Sequence, residues 1–136
     1  MIIDSSALVA ILKEEPEAKA FKATILSSQE VSISAATYFE ACIVVDGYKN
    51  PLLRARFDAI IETMNFEIEP FTAEQARIAR QAYRDYGRGS GHKANLNFGD
   101  CFAYALARVK RQPLLYKGDD FVHTDIRSAS DGQRLS

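Results

Sequence analysis

Apolar and polar positions fall into blocks along the chain, and the block lengths separate strands from helices. Met1-Ile2-Ile3 is too short for a helix and reads as a strand buried on both faces. From Ala7 to Lys13 the spacing turns helical, with Leu8, Ile11 and Leu12 on one buried side. Pro16 suits the first turn of a second helix running to about Ser27, with Ala18, Phe21 and Ile25 as its apolar side. Val31-Ser32-Ile33-Ser34 alternates like a strand and leads into a mostly apolar helix, Ala35 to Tyr48, closed by Gly47 and Asn50. Pro51 opens a further helix to about Met64, whose exposed apolar residues offer an interface. Phe66 to Pro70 is a strand with one polar face, placed nearer the edge of a sheet. Thr72 and Gln75 form a capping box for a helix reaching Tyr86. Gly87 to Asn97, with three glycines and no periodic apolar residues, is a loop. Gly99 to Arg111 is a helix stopped by Pro113, and Leu114-Leu115-Tyr116 is the last strand. Strands alternating with helices imply parallel pairing, so the expected fold is α/β, three layers (α/β/α) around a mainly parallel central sheet.

Composition narrows the picture only a little. A chain of 136 residues fits one domain with a real core, and no internal repeat, low-complexity tract or second domain interrupts it. No stretch approaches the length of a membrane span, and the N-terminus lacks the basic-then-apolar pattern of a signal peptide, so a cytoplasmic protein with no membrane partner is expected. Cys42 and Cys101, each on a predicted helix and without CxxC spacing, read as buried thiols, and His92 and His123 add no zinc pattern. Charge is more informative in its distribution than in its total of −1. Between Arg77 and Lys117 nine Lys or Arg stand against Asp85 and Asp100 alone, a local +7 balanced by −8 over the rest. Such a surface steers phosphates, although two solvated helix faces would look the same.

The acids carry the candidate chemistry. Asp4 lies where the first strand gives way to a helix, at the carboxyl edge where open α/β sheets collect ligands and catalytic groups, but it would serve equally as a helix cap. Glu40 lies in the middle of the Ala35 helix with Ala36, Thr37, Ile43 and Val44 on its face, while Tyr38 and Asp46 mark solvent positions. A carboxylate facing a core is costly unless it is paired or holds a cation, and a partner arginine would explain it as well. Asp100 precedes the apolar run from Cys101 to Leu106, where a negative charge also favours a helix N-terminus. Asp119 and Asp120 follow the last strand, in material equally suited to a turn. Strand ends and the helices returning along the same sheet can bring these five acids together. Carboxylates gathered without a built-in cation repel, so a cluster implies protonation or a hard divalent ion, Mg²⁺ or Mn²⁺. Such an ion activates water and steadies the leaving oxygen in phosphodiester cleavage.

Five segments together carry a resemblance: Ile3-Asp4-Ser5-Ser6-Ala7-Leu8, Glu40 in its apolar helix, Tyr83-Arg84-Asp85-Tyr86-Gly87 with the glycine-rich loop, Asn97-Phe98-Gly99-Asp100-Cys101, and Leu114 to Phe121 with Thr124-Asp125-Ile126. The chain resembles a PIN-domain protein over residues 1–127, leaving 128–136 as a tail, and more narrowly is similar to the VapC toxins of bacterial type II toxin–antitoxin pairs. The resemblance implies a Mg²⁺- or Mn²⁺-dependent endoribonuclease acting on RNA, inhibited by a VapB-type antitoxin whose tail enters the active-site groove, and usually a homodimer. Carried over by position, Asp4 and Asp100 match the principal metal ligands and Glu40 the third acid. Many relatives place an acid where this chain has Gly118; here Asp119 or Asp120 completes the site, directly or through water. Ser6 and Asn97 match positions that support the acids by hydrogen bonding, and water is the expected nucleophile, without a covalent enzyme intermediate.

Three other classes remain open at this level. A phosphoacceptor receiver domain wants paired acids after its first strand and an Asp ending its third, whereas this chain offers one acid at the first and Glu69-Pro70 at the other. A haloacid-type phosphatase needs a second Asp two residues after the first, where Ser6 stands. A PIN-fold module that binds RNA or a protein without cleaving is disfavoured only by its intact acids.

Overall fold

The computed structural model describes residues 1–130. Its elements are β1 (Ile2–Ile3), α1 (Ser5–Leu12), α2 (Ala18–Ser27), β2 (Ser32–Ser34), α3 (Ala35–Gly47), α4 (Pro51–Met64), β3 (Glu67–Glu69), α5 (Ala73–Tyr86), α6 (Phe98–Lys110) and β4 (Leu114–Leu115). The strands form one parallel sheet in the order β3-β2-β1-β4, with β3 at the edge. Ile2 is opposite Leu114 and Ile3 opposite Leu115. Side chains alternate across a strand, so each pair feeds a different layer. Ile2 and Leu114 pack with Leu106, Ala103 and Phe121 beneath α5 and α6. Ile3, Ile33 and Leu115 pack with Leu8, Ile11, Phe21, Val45 and Phe57 on the side of α1 to α4. The three-layer α/β/α expectation is met.

Several local expectations shift. The second helix starts at Ala18, so Pro16 lies before it rather than in its first turn. Thr72 accepts from the Gln75 backbone N–H at 3.1 Å, but the Gln75 side chain turns to the Pro70 carbonyl at 3.2 Å, so only half of that capping box forms. The complete box is at α6, where Asn97 Oδ1 accepts from the Asp100 N–H (2.9 Å) and Asp100 Oδ2 from the Asn97 N–H (3.0 Å). The loop from Gly87 to Asn97 is not free of core residues: Ala94 and Leu96 are buried under α5 and α6, and Leu96 bridges back to Tyr86 and Arg88. Two buried apolar side chains inside an 11-residue loop carry no period, which is why the sequence pattern missed them.

Helix faces also differ from the pattern. On α3 the core-facing residues are Thr37, Ala41 and Val45. Phe39, Ile43 and Val44 are exposed, so of the neighbours placed on the Glu40 face Thr37 is buried while Ile43 and Val44 look outward. Tyr38 is no solvent position; it is half-buried and stacks against Phe57. Cys42 is half-buried rather than buried, while Cys101 is buried as expected. The large apolar residues of α4 turn mostly inward, Phe57 fully and Leu53, Ile60, Ile61 and Met64 in part, so Leu52 alone among these large residues stands well exposed. Residues 127–129 pair with the outer edge of β4 through Leu114, so the start of the predicted tail belongs to the packed structure; residues 131–136 lie outside the described part. No helix among the described residues is long and apolar enough to cross a membrane.

The buried loop residue supplies a direct check on this packing. Leu96→Ala is expected to destabilise the domain by roughly 3 kcal/mol in denaturant unfolding, the range for a fully buried leucine; a loss below about 1 kcal/mol would mean that the loop is not part of the core.

Candidate active site

The sheet order sets the location of the acids. From β1 the chain moves one way to β2 and β3, then returns to the other side of β1 for β4, so the crevice between the carboxyl ends of β1 and β4 is the topological switch point. Asp4 leaves β1 there, its N–H donating to the Leu115 carbonyl at 3.0 Å. It caps α1, and its Oδ2 accepts from both the Ser6 N–H (3.1 Å) and the Ser6 hydroxyl (2.6 Å). The same hydroxyl accepts from the Lys117 N–H at 3.0 Å, tying the segment after β4 to the acid after β1.

Asp4 and Asp100 are both buried, and neither meets a cation among the described residues. Burial pushes the Asp4 carboxyl up to about 6; the two Ser6 hydrogen bonds oppose this and the nearby Glu40 charge adds to it. Burial likewise pushes Asp100 up to about 7 against the pull of the Asn97 N–H, and the charges of Asp4 and Asp120 push the same way. Hydrogen bonding to Asp120 adds to the preference of Asp100 for its protonated form. Asp4, Asp100 and Asp120 thus share one electrostatic neighbourhood, with Glu40 reaching it from α3. Glu40 is half-buried, accepts a 3.3 Å hydrogen bond from the Ser5 hydroxyl, and packs directly over Gly99. A Cβ at residue 99 would overlap the Glu40 carboxylate, so the glycine makes room for the acid.

Asp119 is set apart. It is exposed and lines a different hollow with Glu17, Ala20, Phe21 and Lys117, while its neighbour Asp120 turns to Asp100. Among the described residues no three His, Cys, Asp or Glu side chains form a group arranged to hold a metal ion, so the acids are neighbours rather than a closed coordination shell. The supporting positions behave as the sequence reading expected: the Ser6 side chain holds Asp4, and Asn97 holds Asp100. Ser5 and Gly99, which position Glu40, carried no signal of their own beyond lying inside the quoted motifs.

The basic segment is not one surface. Arg108 pairs with Asp125 (2.8 Å), Lys110 with Glu69 and Glu30 (3.0 and 3.4 Å), and Lys117 with Glu15 and Glu17 (3.3 Å each). Arg80, Arg84 and Arg88 have no such partner among the described residues and border a groove of about 820 Å³ between α5 and the start of α6.

Residues 1–127 match the model of the PIN domain family. The chain is 49% identical to ribonuclease VapC28 of Mycobacterium tuberculosis over 131 residues, 96% of this chain and 98% of that one. The chain belongs to the VapC family of PIN-domain ribonucleases. VapC42 of the same organism is 46% identical over 129 residues, 95% of this chain and 98% of the relative. Solved structures superpose at lower identity: VapC20 of M. tuberculosis, described as a sarcin-ricin loop cleaving toxin, at TM-score 0.70 and 18% identity over 92% of this chain and 95% of that one. A toxin–antitoxin complex from Klebsiella pneumoniae follows at TM-score 0.68 and 20% identity, covering 91% and 92%. At those identities the likeness concerns the fold alone.

The raised carboxyls of this VapC-family chain have a consequence for stability. A folded-state value above the unfolded one means that the folded protein holds its proton longer, so ionising Asp100 costs stability as pH rises from about 4 through about 7. Asp100→Asn keeps an acceptor for the Asn97 N–H and removes the charge. Without divalent cations, it is expected to stabilise the protein by roughly 2 kcal/mol at pH 8, with the gain vanishing near pH 4. Thermal unfolding across that range checks it; a gain independent of pH would refute the electrostatic account.

Proposed function

We propose that this VapC-family ribonuclease is the endoribonuclease toxin of a type II toxin–antitoxin pair, hydrolysing RNA phosphodiester bonds with Mg²⁺ or Mn²⁺ held by Asp4 and Asp100, assisted by Glu40 and Asp120. The observation that carries this reading is the pair of buried carboxylates at the switch point of the sheet, pushed up in pKa and without a cationic side chain. A hard divalent ion fits that donor set, since Mg²⁺ is commonly bound by one or two carboxylates with water and substrate phosphate completing its shell. The absence of a three-acid cage is therefore compatible with it. When bound, the ion would supply activation of water and stabilisation of charge on the leaving oxygen.

The chain's own residues do the rest. Asp4 is fixed by the Ser6 hydroxyl and N–H, and Asp100 by the Asn97 N–H, so both acids are rigid before any ligand arrives. Glu40 and Asp120 border that pair from α3 and from the segment after β4, suited to orient an attacking water or accept its proton. Of the two candidates for the fourth acid, the coupling to Asp100 favours Asp120 over Asp119. Water as nucleophile leaves no covalent enzyme intermediate. A VapB-type antitoxin is the proposed inhibitor. A homodimer is the proposed assembly, for which the exposed Phe39, Ile43 and Val44 of α3 offer more apolar surface than α4 does. Cytoplasmic action on RNA completes the reading.

Purified protein, freed of any antitoxin, should cut a mixed RNA pool in Mg²⁺ or Mn²⁺ and lose that activity with EDTA or in Asp4→Asn. Asp120→Asn should lower cleavage on the order of 100-fold, and Asp119→Asn no more than about threefold. Equal losses at 119 and 120 would reverse the choice of the fourth acid. Metal-independent cutting would remove the metal-site reading. No cutting by folded, metal-loaded protein would favour a module that binds without cleaving.

Moving Glu40 provides a finer test. Gly99→Ala must displace the carboxylate that packs over it, and because that carboxylate is the end of a flexible side chain the fold should tolerate the change. Cleavage should fall at least about tenfold while the unfolding midpoint moves little. Full activity in this variant would exclude Glu40 from the chemistry.

A further inference from the structure

Asp100 and Asp120 belong to different pieces of chain, the first to α6 and the second to the segment after β4. Two carboxylates in one neighbourhood repel whenever both are ionised, so their own contact does not draw the segment to the helix. An attractive contact elsewhere has to supply that hold.

Residues 100, 104 and 108 lie four apart, which puts Asp100, Tyr104 and Arg108 in one row along α6. The row meets the segment after β4 at more than one level. At its start Asp100 meets Asp120. One and two turns further on, Asp125 accepts from the Tyr104 hydroxyl at Oδ1 (2.6 Å) and from Arg108 Nη1 at Oδ2 (2.8 Å). Tyr104 is buried, so its hydroxyl needs a partner. Burial, and then the bond to Asp125, hold that phenol well above its usual range, so it remains a donor throughout the neutral range.

Between Asp125 and Asp120 the backbone is a run of hydrogen-bonded turns. The Thr124 hydroxyl accepts from the Ile126 N–H (3.3 Å), and both that hydroxyl and the Thr124 N–H donate to the Phe121 carbonyl (2.8 and 3.1 Å). The Val122 N–H reaches back to the Asp119 carbonyl (3.4 Å), which makes Asp120 an inner residue of the adjoining turn. The buried Phe121 ring pins one point of this run. A turn pinned at one point still pivots; a second anchor four residues on removes the pivot.

We propose that Asp125 is a positioning residue for the reaction: clamped by Tyr104 and Arg108, it holds the turn that bears Asp120 against Asp100. The proposal deepens the ribonuclease reading and rests on it, but it concerns the placement of one acid by a residue outside the acid cluster. The half-exposed ion pair with Arg108 adds little by charge alone, so the clamp acts through the geometry of two donors on one carboxylate.

One arm of the test needs no cleavage. In the full chain without divalent cation, NMR order parameters of the Asp120, Phe121 and Val122 amides should fall from about 0.85 to about 0.6 in Asp125→Ala, while amides inside α6 stay rigid. Tyr104→Phe keeps the buried ring and loses only the donor; it should loosen the same three amides to a smaller extent, and it serves where Asp125→Ala does not fold. The second arm is metal-dependent cleavage of an RNA that the wild type cuts. There Asp125→Ala should lower kcat about tenfold with KM unchanged, whereas Asp125→Asn, which keeps an acceptor for Tyr104, should stay within about threefold of the wild type. In an Asp120→Asn background the Asp125→Ala change should cost less than about twofold more, because the acid it positions is already gone. Unchanged order parameters would overturn the proposal and leave the Phe121 ring as the anchor of the turn. Full kcat in Asp125→Ala, or an equal loss with and without the Asp120 carboxylate, would overturn it too, making Asp125 a stabilising residue only. If the wild type cuts no RNA, the ribonuclease reading fails by itself, and the order parameters still decide whether the clamp sets the turn at Asp120.

Discussion

The pairing of β1 with β4 is the constraint on which the rest depends. Each strand has only two residues, yet their register is held from both faces, because Ile2 and Leu114 enter one core and Ile3 and Leu115 the other. A slip of β4 by one residue would exchange Leu114 and Leu115 between layers and move the segment after β4 by about 3.3 Å relative to Asp4. The Lys117 N–H would lose the Ser6 hydroxyl, and Asp120 would leave the neighbourhood of Asp100. Hydrophobic packing far from the acids thus fixes where the acids stand.

Asp4 and Asp100 show that a structural role and a chemical role can reside in one side chain. Asp4 caps α1 and Asp100 closes the capping box of α6 from its first turn, close to the cap and the helix-end charge that the plainest reading assigned to them, and each is buried with other carboxylates near it. The N–H donors of a cap favour the charged form, but burial outweighs them and both carboxyls titrate upward. The caps decide where the oxygens point. The missing counter-charge makes the arrangement costly on its own, which is why the proposed function assigns it a cation.

Much of this was legible in the residues. The strand ends at Asp4 and before Asp119-Asp120, the edge position of β3 and the three layers all follow from block lengths and alternation. What stayed hidden depends on which way a helix is turned. Ile43 and Val44, neighbours of Glu40 on α3, were expected to face the core with Thr37, but the core takes Ala41 and Val45 beside Thr37 instead. Helical spacing identifies a face without saying what covers it, and α3 is apolar on more than one side. The same ambiguity made α4 look like an interface when most of its apolar residues are packed inward. Leu96 was missed because a loop that dips into a core leaves no period to read. Adjacent acids such as Asp119 and Asp120 are indistinguishable by spacing, and only the turn after β4 separates one hollow from the other.

The basic segment illustrates how structure sorts charge that sequence can only count. Nine cations between residues 77 and 117 suggest a single phosphate-binding face. Lys110 instead ties α6 to the edge strand through Glu69 and to Glu30 before β2, and Lys117 ties the segment after β4 to the acids between α1 and α2. These cations hold elements together; a polyanion would have to compete with carboxylates already in place. On α5 and the loop after it, Arg80, Arg84 and Arg88 have no such partners among the described residues and border a groove with Tyr83 and the exposed Phe98. A phosphate arriving there meets cations whose charge is not already matched. A charge count along the chain therefore overstates the surface open to phosphates, because the fold commits part of it to its own ion pairs.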